Sequence, residues 1–191
     1  MPAISQDLAA LDKLQRHLFA HRHAQTSIAF AGETSDPANA TAARAEAMAT
    51  LEEETHDYLC CATTGELLER LQQAAVAGEL DETRAAEVRV LTRDRADTVD
   101  VPADVAADFA RLASEAQAVW TRAKVANDWD SFAPFLDRLV TARRAMALMR
   151  APEKDPYETL LDEYEHGSSR AFYDAFFSEV KDCVIPLVAE I

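Results

Sequence analysis

The sequence predicts an all-α protein of about eight helices and no sheet, forming one elongated helical domain over residues 1–191. Three observations carry this. Apolar residues recur at three- and four-residue spacing through long windows, no window alternates apolar with polar residues, and only four glycines and seven prolines interrupt the pattern. The hydrophobic fraction of 49% supplies a core, and a chain this long buries roughly two-thirds of its unfolded surface.

Taken in order, Ser5 can cap a first helix in which Ile4, Leu8, Leu11, Leu18 and Ile28 recur, running to about Ala29. "AGETSDPANAT" breaks it with Gly32 and Pro37, and Thr41 can cap a second helix whose apolar face is Met48, Leu51, Tyr58 and Leu59. Its Glu52 to Glu54 run reads as a solvated stripe. Thr63 and Glu66 have capping-box spacing ahead of the third helix, which Gly78 ends. Asp81 opens the fourth. Pro102 breaks the chain before a fifth helix that reaches about Asn127, with Val105, Phe109, Leu112, Ala116, Val119 and Ala123 on one stripe.

The sixth helix has Ser131 as its cap and Pro134 in its first turn, with Phe132, Phe135, Leu136, Leu139 and Met146 on one face. Asp155 and Pro156 start a short seventh helix through "YETLLDEYE", which Gly167 ends. Ser168 or Ser169 caps the eighth, where Phe172, Phe176, Val180, Cys183, Leu187 and Ile191 repeat and Pro186 predicts a kink.

Thirty-four acidic residues against 19 basic ones give a formal charge of -15, which repels phosphate backbones and anionic lipid. Neither nucleic acid nor a membrane is an expected partner. No run of about 18 apolar residues occurs, and "MPAISQDLAALDKL" has no basic segment leading into an apolar one, so a cytoplasmic location is expected. Cys60, Cys61 and Cys183 have no metal-ligand spacing and read as reduced thiols.

The residues themselves offer few reactive constellations. Glu53 with His56 and Glu163 with His166 are Glu-x-x-His pairs, the spacing that supplies half the ligands of di-iron carboxylate bundles. His166 stands at a helix end beside Gly167, whereas such ligands project from helix middles. His17 and His21 share a helix face, with His23 nearby, but a zinc-protease helix needs a glutamate after the first histidine, where Leu18 stands. No G-x-S-x-G elbow or glycine-rich phosphate loop exists. No catalytic, cofactor-binding or metal-ligating residue is therefore assigned.

"SEAQAVWTRAKVANDWDSFAPFLDRLV", Ser114 to Val140, followed by "PYETLLDEYEHG" and "FFSEVKDCVIPLVAEI", resembles the N-terminal half of carboxypeptidase Taq-type metallocarboxypeptidases. The likeness is weakest before Ala40 and strongest from Ser114 onward. It implies an all-helical, usually dimeric fold. It also implies an enzyme that removes residues singly from peptide C-termini, with a divalent metal, zinc or cobalt, on the two histidines of H-E-x-x-H and a further glutamate. In that arrangement the metal polarises the scissile carbonyl and acidifies its bound water, and the motif glutamate takes the proton.

H-E-x-x-H is not in this chain, and belongs to the family's second half. Two further departures stand out. "FAGET" keeps Glu33 and Thr34 of a Trp-Asp-x-Glu-Thr-like string but has Phe30 and Ala31 at its start, and His166 stands where the family tends to have proline. The expected function is thus that of the helical region of a metallocarboxypeptidase, inactive alone, a homodimer, and engaging peptide only when completed by the second half. A stand-alone helical interaction module and a di-iron bundle are the alternatives. If the second half normally covers part of this one, an apolar patch including Phe172 or Phe176 should be exposed and promote self-association.

Overall fold

A computed structural model describes residues 2–34 and 38–190, and every regular element among them is helical. In chain order they are α1 (Pro2–Thr34), a 3-10 turn (Ala38–Ala40), α2 (Thr41–Cys60), α3 (Ala62–Val76) and α4 (Glu82–Thr98), then α5 (Ala103–Ala126), α6 (Trp129–Arg150), α7 (Pro156–Leu161) and α8 (Arg170–Ala189). The all-α class and the eight α-helices agree with the sequence reading. Contacts divide the chain into two compact units, residues 1–142 and 143–191, with the boundary inside α6.

In the first unit, Leu11 and Leu14 of α1 pack with Leu67, Leu68 and Leu71 of α3 and with Val88 and Leu91 of α4. These are the i, i+3, i+4 positions of each helix, so the apolar stripes are what bring the three together. Each full burial of such a side chain contributes about 1.5–3 kcal/mol. Ion pairs flank this core, Asp7 with Arg70 at 2.8 Å and Asp12 with Arg84 at 2.7 Å. α2 runs antiparallel to α5, since Glu46 meets Arg111 near one end and His56 meets Val101 at the other. Of the buried side chains on these two helices most are alanines, Ala45 and Ala49 on α2 and Ala106, Ala107, Ala116 and Ala123 on α5, which lets the backbones approach closely. Of the residues expected to form the α2 face, Leu59 is buried, Met48 and Leu51 are half-buried and Tyr58 is exposed.

Several caps are as the sequence indicates. The Asp81 carboxylate accepts from Arg84 N–H at 2.8 Å, Asp155 from Tyr157 N–H at 2.8 Å, and Ser169 Oγ from Phe172 N–H at 3.2 Å. Gly78, at φ +73°, closes α3: its N–H donates to Ala75 and that of Glu79 to Ala74, a pairing that needs the left-handed backbone glycine tolerates.

Other boundaries differ. α1 continues past Ala29 through Gly32 to Thr34, and Thr41 is the first helical residue of α2, so that Ala40, the last residue of the 3-10 turn, holds the N-cap position. α2 and α3 are separated at Cys61, whose extended φ/ψ of −60°/156° makes it the N-cap of α3 and leaves Thr63 inside the helix. Hydrogen bonds hold this break: the Cys61 N–H donates to Asp57, the Thr64 hydroxyl to the Tyr58 carbonyl at 2.8 Å, and Arg95 to the freed Leu59 carbonyl at 2.6 Å. α6 begins at Trp129, so Asp128 rather than Ser131 is the cap, accepting from Ser131 N–H at 3.2 Å, and Pro134 falls in the second turn. α7 is only six residues long, and the chain reaches Gly167, at φ +81°, through successive turns. Ile191, the last of the apolar repeat, and Pro37 lie outside the described residues.

Candidate functional site

His17 and His21 of α1 serve the α1–α2 contact. His17 stacks on the Tyr58 ring with centroids 4.8 Å apart, and His21 meets the same ring edge-on at 5.6 Å. His21 Nδ1 lies 3.1 Å from Thr55 Oγ1 and Nε2 lies 3.4 Å from Glu54. Thr55 already donates its one hydroxyl proton to the Leu51 carbonyl at 2.7 Å, so its oxygen stands as an acceptor toward His21 Nδ1. Gln25 donates to Glu52 at 3.0 Å along the same seam. Glu52 and Glu54 therefore both have a partner on α1, yet Glu54, like Glu53, stays exposed, and only Glu52 is half-buried against the solvated role read for the run. His23 is exposed beside Phe19.

Neither Glu-x-x-His pair works as a pair. His56 Nε2 donates to the Val101 carbonyl at 2.7 Å and so ties α2 to the segment between α4 and α5, while Glu53 points to solvent. In the second unit Glu163 accepts from both Arg143 and Arg150 at the end of α6. His166 is exposed and its Nδ1 donates to the Asp162 carbonyl at 2.7 Å. Among the described residues no three histidine, cysteine, aspartate or glutamate side chains converge in a way that could hold a metal ion. The donor set present here does not fit a peptidase metal, and no step of metal chemistry is derived from it.

Two cysteines sit at the α2–α3 break in opposite environments. Burial pushes the Cys60 thiol up, whereas the Thr64 hydroxyl, 3.3 Å from Cys61 Sγ, and the amides of Thr63 and Thr64 hold Cys61 below the usual thiol range.

The second unit carries an open, aromatic-lined surface groove. It has a volume of about 580 Å³ and is lined by Tyr157, Leu161, Tyr164, Arg170, Tyr173, Asp174 and Phe177, and the Arg170 guanidinium stands 6.0 Å from the Tyr157 ring centroid. α8 beside it has no buried residue at all, although Phe172, Phe176, Phe177, Val184, Ile185, Leu187 and Val188 are each between 47% and 65% exposed. Phe172 stacks on Phe176 at 6.2 Å and Phe176 meets Phe177 edge-on at 5.3 Å, so the aromatic residues contact one another instead of a core. The exposed patch expected at Phe172 and Phe176 is present. The aromatic groove was not anticipated; its signal was the tyrosine spacing of 157, 164 and 173 around a glycine turn.

Comparison with known proteins places this arrangement. The carboxypeptidase Taq (M32) metallopeptidase model matches residues 10–191. Carboxypeptidase 1 of Bacillus subtilis is 25% identical over 158 residues, covering 83% of this chain and 31% of that protein. Thermostable carboxypeptidase 1 of Pyrococcus furiosus is 26% identical over 176 residues, 92% of this chain and 35% of its own. The crystal structure of BsuCP superposes with a TM-score of 0.88 at 24% identity, over 97% of this chain and 37% of that one, a likeness of fold. The chain thus spans about a third of the length of the curated relatives it matches. A family match spanning residues 10–191, together with a helical fold shared with those proteins, shows that this chain belongs to the carboxypeptidase Taq (M32) metallopeptidase family.

Proposed function

We propose that the chain is the N-terminal helical region of a metal-dependent carboxypeptidase, that it forms part of the wall of the peptide groove in the complete enzyme, and that it hydrolyses nothing alone. The observation that carries this reading is the combination of a family match over residues 10–191 with a described donor set that offers no metal site. The resemblance assigns the H-E-x-x-H histidines and their glutamate to the remaining length of the fold, where a bound metal would activate water. A cytoplasmic homodimer completes the proposal.

The experiment is release of the C-terminal amino acid from a blocked dipeptide by the purified 191-residue chain, with added zinc or cobalt and with a chelator control. No turnover is expected under any condition. Chelator-sensitive turnover would place a working metal site within these residues and overturn the reading.

A further inference from the structure

We propose that the groove between α7 and the start of α8 binds a free aromatic α-amino acid, with Arg170 taking its carboxylate, Asp174 its ammonium group and the tyrosines its ring. The proposal goes beyond the functional reading above and does not depend on it, although a free amino acid is what the reaction proposed there releases.

Three stretches of the second unit build the groove. α7 supplies Tyr157, the turns after it supply Tyr164, and the first two turns of α8 supply Arg170, Tyr173, Asp174 and Phe177. At about 100° per residue those four α8 positions fall within an arc of roughly 100°, so they face the same space. A volume of about 580 Å³ lies within the roughly 300–1,000 Å³ of small-molecule sites, which combine aromatic walls with a few convergent polar groups.

The polar groups are unspent. Among the described residues, the Arg170 guanidinium, the Asp174 carboxylate and the three tyrosine hydroxyls make no hydrogen bond or ion pair with another residue. Arg170 and Asp174 stand at i, i+4 with Cβ atoms about 5–6 Å apart, but a cation placed before an anion is the weaker order for such a pair on a helix. The guanidinium lies instead over the Tyr157 ring, 6.0 Å from its centroid. One cation and one anion are thus held side by side without neutralising each other.

A ligand with a carboxylate and an ammonium group on one carbon matches that pair, each charge meeting its opposite. Such a ligand has no net charge, so the chain's -15 does not repel it, as it would a simple carboxylate. A simple amine would be drawn to Asp174 but set against Arg170. The side chain is specified by the walls: aromatic rings pair offset or edge-on with centroids about 4.5–7 Å apart, and Tyr157, Tyr164, Tyr173 and Phe177 offer such faces and edges.

The test is a ligand-observed NMR titration of the purified 191-residue chain with L-phenylalanine. Saturable binding is expected, weakened at least fivefold in phenethylamine, which lacks the carboxylate, in 3-phenylpropanoate, which lacks the ammonium group, and in L-alanine, which lacks the ring. Arg170→Met should bind L-phenylalanine no better than phenethylamine, and Asp174→Asn no better than 3-phenylpropanoate. Both positions are exposed, so the fold tolerates either change, and Glu179→Gln, exposed on α8 outside the groove, should leave binding unchanged.

No saturable binding would overturn the proposal, as would equal binding of L-phenylalanine and its two single-charge analogues, which would reduce the groove to a surface that adsorbs rings. Binding indifferent to both substitutions would place the ligand elsewhere and overturn it too. N-acetyl-L-phenylalanine bound as tightly as L-phenylalanine would assign the groove to a peptide C-terminus and overturn the choice of a free amino acid. None of these readouts involves hydrolysis, so the dipeptide assay judges the functional reading separately.

Discussion

Arg70 on α3 holds Asp7 on α1 through two parallel hydrogen bonds, Nε to Oδ2 at 3.1 Å and Nη2 to Oδ1 at 2.8 Å. This fork binds the first helix to the third across 63 residues of sequence, beside the Leu11–Leu68 core. The guanidinium keeps the Asp7 carboxyl below its ordinary range. A carboxyl with a depressed folded-state pKa adds stability that is present above its ordinary value and is lost as pH falls through the lowered one. Arg70→Met should therefore lower the urea midpoint at neutral pH, and its difference from the parent should shrink as the pH falls below the ordinary aspartate range and through the lowered value. A difference that stays constant across that range would show that the fork contributes no ionic stabilisation.

His56 gives a test of stability against ligation. Its Nε2–H satisfies the Val101 carbonyl, and Val101 itself is buried, so His56→Ala leaves that carbonyl without its partner. The expected loss is about 1–3 kcal/mol by urea unfolding. Glu53→Ala, at an exposed position, should change stability by less than about 0.5 kcal/mol. Similar large losses in both would restore the pair to a joint role.

Cys61 should alkylate faster than its neighbour. The Thr64 hydroxyl and the first amides of α3 favour its thiolate, while burial disfavours that of Cys60. In iodoacetamide labelling followed by peptide mass mapping, the Cys61 rate should level off at a lower pH than that of Cys60. Thr64→Val should move the Cys61 profile to higher pH. Equal rates for the two residues would contradict the assigned environments.

What the sequence made legible follows from which interactions are local. Asp81, Asp155, Ser169 and Gly78 act within one helical turn, so their caps could be read from spacing alone. Cys61 could not: the break between α2 and α3 is held by Arg95, 36 residues away, and nothing in "LCCATTG" signals it. Likewise His17 and His21 share a face by spacing, but only the antiparallel placement of α2 brings Tyr58, Thr55 and Glu54 to them. The α2–α5 contact was obscured for a different reason. Alanine has little hydrophobic signal on either helix, and its value there lies in closeness of approach.

Glu163 separates the two readings of the C-terminal string most directly. It binds Arg143 and Arg150 together, and the Arg150 side chain is only 10% exposed, so the contact ties the turn after α7 back to the end of α6. Glu163→Gln keeps the shape but removes the charge, bringing two guanidinium groups to a neutral amide that offers a single acceptor oxygen. A loss of about 1–3 kcal/mol is expected, with faster amide exchange over residues 156–166. His166→Ala should cost less than about 0.5 kcal/mol, because that ring is exposed and its bond to the Asp162 carbonyl lies within its own turn. Iron bound by the purified parent and released by either substitution would instead make the two residues a ligand pair, and the structural role given to Glu163 would fall.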